Sequence, residues 1–67
     1  MNFGNRLREL RGKVSREVVA EAIGVSVSSY AKYERNERVP RDAVKLRISE
    51  YYRKPVQAIF FDQGEHI

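Results

Sequence analysis

The chain has 67 residues, no cysteine and a formal net charge of +4, with a sequence pI near 9.8. The length predicts one small domain, and the lack of cysteine excludes a disulfide framework or a thiolate metal site. No apolar run approaches the ~18 residues that span a bilayer, and no apolar secretion segment opens the sequence, so we expect a cytoplasmic protein without a membrane partner.

The positive charge is unevenly distributed along the chain. Basic residues are concentrated in the first sixteen positions and recur between residues 32 and 47. The last thirteen residues contain two acidic residues and no lysine or arginine. A basic body of this kind suits a polyanionic partner, nucleic acid before a membrane surface. An arginine-rich surface that is simply solvated would give the same composition.

Apolar spacing predicts a first helix over about residues 2–11 and a second helix between a serine and a glycine. The first helix carries its apolar residues at i, i+4 and i+7, namely Phe3, Leu7 and Leu10. Gly12 ends it. Ser15 is the predicted N-cap of the second helix, and Gly24 is its predicted C-terminal residue, because glycine tolerates positive φ. The predicted buried residues of this helix are Val19, Ile23 and either Ala20 or Ala22.

Three further helices are predicted after Gly24. Ser26 is the N-cap of a third helix that runs to about residue 35, with Tyr30 and Tyr33 on one face, and residues 36–40 form a loop. A fourth helix covers about residues 41–53, and Pro55 suits the first turn of a fifth. The predicted inward residues are Val44, Leu46 or Ile48, Tyr51, Tyr52, Val56, Ile59 and Phe60. The expected fold is all-α, with five helices around one core.

The second and third helices have the spacing of a helix-turn-helix. A small residue, Ala20, falls where the two helices cross, and Gly24 falls at the turn. The stretch SREVVAEAIGVSVSSYAKYERNERVP resembles the helix-turn-helix of the Cro/cI (xenobiotic-response-element) regulators, and RDAVKLRISEYYRKPVQAIFF is similar to their fourth and fifth helices. The resemblance implies a single lambda-repressor-like DNA-binding domain over residues 1–67, with the helix-turn-helix at about 16–35.

Four positions depart from the usual pattern of that family. Arg16 stands where glutamine is usual, and Ala31 replaces a common serine. Tyr30 replaces a compact aliphatic residue, so either the third helix sits differently or the tyrosine hydroxyl needs a partner in the core. Asn36 replaces glycine, which is acceptable because asparagine tolerates left-handed backbone geometry.

One face of the third helix is predicted to read DNA bases. At about 100° per residue, Ser28 and Lys32 point away from the two tyrosines of this helix. Val27 would contact a thymine methyl, Ser28 a base edge, and Lys32 guanine O6 or N7. The resemblance implies the same three positions. The alternatives are burial of Val27 against the first turn and plain solvation of the other two.

Phosphate contacts are assigned to residues around the two helix starts and the loop that follows the third helix. The predicted set is Arg16, Ser26, Ser29, Arg35, Asn36 and Arg38. Arg11, Lys13 and Arg41 are further candidates that fit surface charges equally well. Glu34 is interpreted as structural and paired with an arginine of the first helix; the alternative is an acceptor for a cytosine amine.

A homodimer is expected, because one such domain reads few base pairs and paired half-sites are the usual solution. The predicted interface lies in a tail over about residues 56–67 and comprises Ile59, Phe60 and Phe61. Phe61 is its main residue, unless it folds back over the first helix. The predicted function is a sequence-specific regulator of transcription, a repressor on a palindromic operator.

Two other functions fit the same fold. The chain is alternatively an antitoxin-like autorepressor whose tail engages a partner protein, or a protein-interaction module. No enzyme, cofactor or small-molecule ligand is expected, since no phosphate loop or nucleophile–base pair is present. Asp62, Glu65 and His66 are metal-ligand types without a second ligand set, so no metal site is predicted.

Overall fold

The computed structural model describes residues 2–61, and within them the chain is all-α. The helices are α1 (Phe3–Arg11), α2 (Arg16–Ile23), α3 (Val27–Glu34), α4 (Asp42–Tyr52) and α5 (Val56–Phe60). The five-helix prediction is confirmed, with helix ends that differ by about one residue. Pro55 is the N-cap of α5 rather than a residue of its first turn.

The helix-turn-helix is defined by the caps that the sequence predicted. Ser15 Oγ accepts a hydrogen bond from the Val18 amide at 3.2 Å, and Ser26 Oγ accepts one from the Ser29 amide at 3.0 Å. Gly24 has φ 79° and ψ 33°, a left-handed conformation that glycine adopts without strain. With these caps α2 ends and α3 begins after only three intervening residues, which allows the two helices to cross.

One hydrophobic core is shared by all five helices. Its buried apolar residues are Phe3, Leu7, Val19, Ala20, Ile23, Tyr30, Tyr33, Val44, Ile48, Ile59 and Phe60. Of the two open choices, the structure buries Ala20 rather than Ala22, and Ile48 rather than Leu46, which is 57% exposed. The prediction that Tyr51 faces inward is wrong: Tyr51 is exposed, and its ring lies against that of Tyr52, which is the tyrosine that packs on the core.

Helices α1 and α3 approach each other closely at Gly4. Asn36, which has a left-handed φ of 59°, accepts a hydrogen bond from the Gly4 amide at 3.0 Å and donates to Asn2 Oδ1 at 3.2 Å. Arg8 Nη1 donates to the Glu34 carbonyl at 2.6 Å. The start of α1 is therefore fastened to the end of α3.

The hydroxyl of Tyr30 has the partner that its buried position requires. Tyr30 is fully buried, and its hydroxyl lies 3.1 Å from that of Tyr52 on α4. Burial raises the pKa of both tyrosines, so both hydroxyls stay protonated at neutral pH. The pair connects the inner face of α3 to α4.

No helix in residues 2–61 has the length and apolar character needed to cross a membrane.

Candidate nucleic-acid interface

The outer face of α3 carries the three predicted base-contacting residues. Val27 is 36% exposed, Ser28 is exposed and Lys32 is half-buried, whereas Tyr30 and Tyr33 lie in the core. The side chains at the N-terminal end of this face, Val27 and Ser28, are small, a shape that a DNA major groove admits. Val27 therefore keeps part of its side chain at the surface, and its contact with a base stays a prediction.

A groove runs between the start of α2 and the first turns of α3. Its volume is about 400 Å³, and it is lined by Arg11, Arg16, Glu17, Val27, Ser28 and Ala31. The groove brings Arg16, a predicted phosphate contact, beside two predicted base contacts. Ala31, in place of the usual serine, contributes a small apolar side chain to the wall of this groove.

Glu34 lies beneath this groove as the buried centre of an ion-pair network. Its carboxylate is fully buried and accepts bonds from Arg11 Nε at 2.6 Å and from Arg16 Nε at 3.0 Å. Arg11 Nη2 adds a bond at 3.1 Å. The structural interpretation of Glu34 is confirmed, since a fully buried carboxylate offers no oxygen to a cytosine amine. The sequence did not predict the pairing with Arg16.

Glu34 has a lowered pKa despite its burial. Burial alone would raise the pKa, but hydrogen bonds from Arg11 and Arg16 outweigh it and hold the pKa below the usual value of 4.5. The unfolded chain would therefore take up the proton first as the pH falls. The stabilisation that the network provides is present in full above pH 4.5 and is lost as the pH falls through the lower pKa of the folded state.

We accordingly expect the free energy of unfolding to decrease as the pH is lowered from 5 to 3. Urea unfolding at several pH values would measure it. Glu37→Gln is the matched control, because Glu37 forms an exposed ion pair with Arg35 that solvent screens. That variant should retain the same acid sensitivity. Equal stability at pH 3 and pH 7 would contradict the assigned role of Glu34.

The predicted phosphate-contacting residues other than Arg16 differ in whether their side chains line a groove or are already bonded within the chain. Ser29 Oγ lies 3.5 Å from Arg38 Nη1, and both line a second groove of about 270 Å³ beside the start of α3. Arg35 is paired with Glu37 at 3.0 Å, and the Asn36 side chain is bonded to α1. The hydroxyl of Ser26 is occupied as an N-cap, so its phosphate contact, like the others, stays a prediction.

The second groove also contains Arg41, a further candidate for a phosphate contact, and Arg47, which the sequence did not single out as a site residue. Arg41 and Arg47 line it together with Arg38. Arg47 Nε donates to the Ile23 carbonyl at 2.8 Å, which satisfies the C-terminal end of α2. Composition could place Arg47 only in a basic stretch, because its partner lies 24 positions away.

The residues predicted for the dimer interface are divided between core and surface. Ile59 and Phe60 are each 1% exposed and pack inside the chain, whereas Phe61 is 51% exposed. Lys45 Nζ lies 4.9 Å from the centre of the Phe61 ring. An interface at this end therefore stays a prediction that rests on Phe61.

Asp62, Glu65 and His66 lie outside the described residues, and residues 2–61 contain no group of three metal-ligating side chains.

Comparison with known proteins agrees with this geometry. The helix-turn-helix domain family matches residues 2–58, which include all of the first four helices and the first part of α5. No curated protein and no solved structure matches the chain. The match is consistent with the resemblance to Cro/cI-type regulators, and it indicates a DNA-binding regulator. The chain therefore belongs to the helix-turn-helix domain family.

Proposed function

We propose that this chain is a cytoplasmic, sequence-specific regulator that binds double-stranded DNA, a repressor that acts as a homodimer on an inverted repeat. The observation that carries the proposal is the outer face of α3. Val27, Ser28 and Lys32 lie there together, while the opposite face of the same helix is buried. In this proposal α3 enters the major groove and these three side chains contact base edges.

The charges around α3 support the same orientation. Arg16 stands on one side of the recognition face, and Arg38 stands on the other beside Ser29. Basic side chains on both sides would contact the two phosphate backbones that border a major groove. Such contacts fix the position of α3 on the duplex but carry no sequence information.

Dimerisation is proposed because it doubles the number of base pairs that the protein reads in its DNA site. A single α3 contacts only a few base pairs, whereas two copies related by a two-fold axis read two half-sites about one DNA turn apart. Phe61 is the proposed contact, because it is a large apolar side chain that the chain's own core leaves half exposed.

The direct test is selection of bound sequences from a random duplex pool at two salt concentrations. An inverted repeat with half-sites a turn apart is the expected result. Recovery of unselected DNA would contradict sequence-specific binding, and recovery of a single unrepeated site would contradict the dimer. No recovery would favour the protein-interaction module instead.

Loss of two base contacts should then weaken binding to the selected duplex. The variant Ser28→Ala with Lys32→Ala is expected to bind at least about tenfold more weakly, because each good base contact discriminates by about 1–3 kcal/mol. Its circular dichroism and unfolding midpoint should match those of the wild type, since both side chains lie outside the core. Fluorescence anisotropy with the selected duplex measures the affinity.

Lys54→Ala is the matched control for charge. It removes one positive charge from an exposed position next to Pro55, away from α3. The control is expected to bind the selected duplex within about twofold of the wild type, since one distant surface charge contributes little at physiological salt. Equal affinities for the double variant and this control would overturn the assignment of Ser28 and Lys32.

A further inference from the structure

Within residues 2–61, the guanidinium group of Arg16 is bonded to the protein at Nε, whereas its Nη atoms are not. Its side chain is 42% exposed, yet its Nε donates to the fully buried carboxylate of Glu34 at 3.0 Å. A guanidinium carries five N–H donors in a rigid plane, so a bond at Nε fixes the direction of both Nη atoms. Within residues 2–61 the Nη atoms of Arg16 form no hydrogen bond.

The fixed guanidinium lies on the predicted DNA face. Arg16 lines the groove that Val27 and Ser28 also line. We propose that Glu34 is a positioning residue for DNA binding, which holds Arg16 so that its Nη atoms bind a backbone phosphate at the edge of this groove. This inference rests on the proposed function, because it needs a duplex on the outer face of α3.

The second arginine of the network makes this role electrostatically feasible. A lone carboxylate near the DNA face would repel phosphate. Arg11 binds both oxygens of Glu34, at 2.6 Å and 3.1 Å, and so compensates its charge while Arg16 stays directed outward. The arrangement fixes a long side chain before DNA arrives, which reduces the conformational freedom lost on binding.

Positioning and simple charge predict opposite effects for one substitution. Glu34→Gln removes a negative charge near the DNA face, so charge alone would strengthen binding to any duplex. Positioning instead predicts weaker binding to the selected duplex, because Nε of Arg16 loses its ionic partner. Glu50→Gln is the matched control, since it makes the same charge change at an exposed position on α4.

The experiment measures the affinity of the full chain for its selected duplex by fluorescence anisotropy. We expect Glu34→Gln to bind about tenfold more weakly than the wild type, the scale of one well-placed arginine contact. In an Arg16→Ala background the same change should alter affinity by less than about twofold, because the group that Glu34 positions is gone. Glu50→Gln should bind as tightly as the wild type or slightly more tightly.

A second variant avoids any change to the buried carboxylate. Arg16→Lys keeps the charge, but an ammonium is a single point and cannot pair with Glu34 while also presenting a planar pair of donors. It should bind the selected duplex as weakly as Arg16→Ala does. Affinities are compared at a temperature where circular dichroism shows each variant folded, and Arg16→Lys decides the matter if Glu34→Gln does not fold.

The possible outcomes separate this inference from the proposed function. Wild-type affinity in Arg16→Lys, or binding by Glu34→Gln as tight as that of Glu50→Gln, overturns the positioning role alone, provided that the wild type binds its duplex. If Glu34→Gln is equally weakened with and without Arg16, the carboxylate acts through the fold and the inference is wrong. A wild type that binds no duplex overturns both proposals.

Discussion

Phe60→Ala is expected to reduce the free energy of unfolding by about 3–5 kcal/mol, the usual cost of removing a buried aromatic ring. Phe60 is 1% exposed, and its ring centre lies 5.4 Å from that of Phe3 in a tilted arrangement. The substitution would separate α5 from α1 as well as leave a cavity. For a domain with a total stability of about 5–15 kcal/mol, such a loss should be evident in urea unfolding followed by circular dichroism.

The neighbouring residue supplies the control for this prediction. Phe61→Ala removes the same ring from a side chain that is 51% exposed, so the free energy of unfolding should change by less than about 1 kcal/mol. Sedimentation of the same variant reports whether self-association depends on Phe61. Equal destabilisation by the two substitutions would contradict the division between a core Phe60 and a surface Phe61.

Gly4→Ala is expected to destabilise the chain by about 3 kcal/mol, although alanine is normally the better helix former. A Cβ at position 4 would lie 2.2 Å from the Glu34 carbonyl oxygen and 2.9 Å from Asn36 Nδ2. The carbonyl belongs to the backbone and cannot rotate away, so α1 and α3 must move apart. Thermal and urea unfolding would measure the loss.

Glu9→Ala serves as the comparison on the same helix. Glu9 is exposed on α1, and alanine there should change the free energy of unfolding by no more than about 0.5 kcal/mol. A stabilised Gly4→Ala variant would show that helix propensity outweighs the close approach. The contact between α1 and α3 would then be looser than the structure indicates.

The parts of the fold that depend on local chemistry were predictable from the sequence. Ser15 and Ser26 cap helices through amides three residues away, and Gly24 ends α2 through its own backbone. Each of these features needs only near neighbours, so a short window of sequence contains the cause. The outer face of α3 was predictable for a related reason, since the period of a helix fixes which residues share a side.

Choices that depend on distant packing were not predictable. Periodicity allowed either Leu46 or Ile48 to be buried, and the packing of α4 against α2 and α5 buries Ile48. The bond from Arg16 to Glu34 joins residues 18 positions apart, and the bond from Arg47 to Ile23 joins residues 24 apart. Neither pair has a local signature, because arginine is also the commonest kind of surface charge in this chain.

Several of the chain's arginines stabilise the fold through hydrogen bonds from their guanidinium groups to backbone carbonyl oxygens. Within residues 2–61, arginine guanidinium groups donate to backbone carbonyl oxygens at four positions, Arg6, Arg8, Arg11 and Arg47. None of these four arginines belongs to the predicted set of phosphate contacts. Of the predicted phosphate contacts only Arg16, Arg35 and Arg38 carry a charge, so each chain would release only about three counterions on binding. The count of 13 basic residues therefore overstates how strongly added salt should weaken the complex.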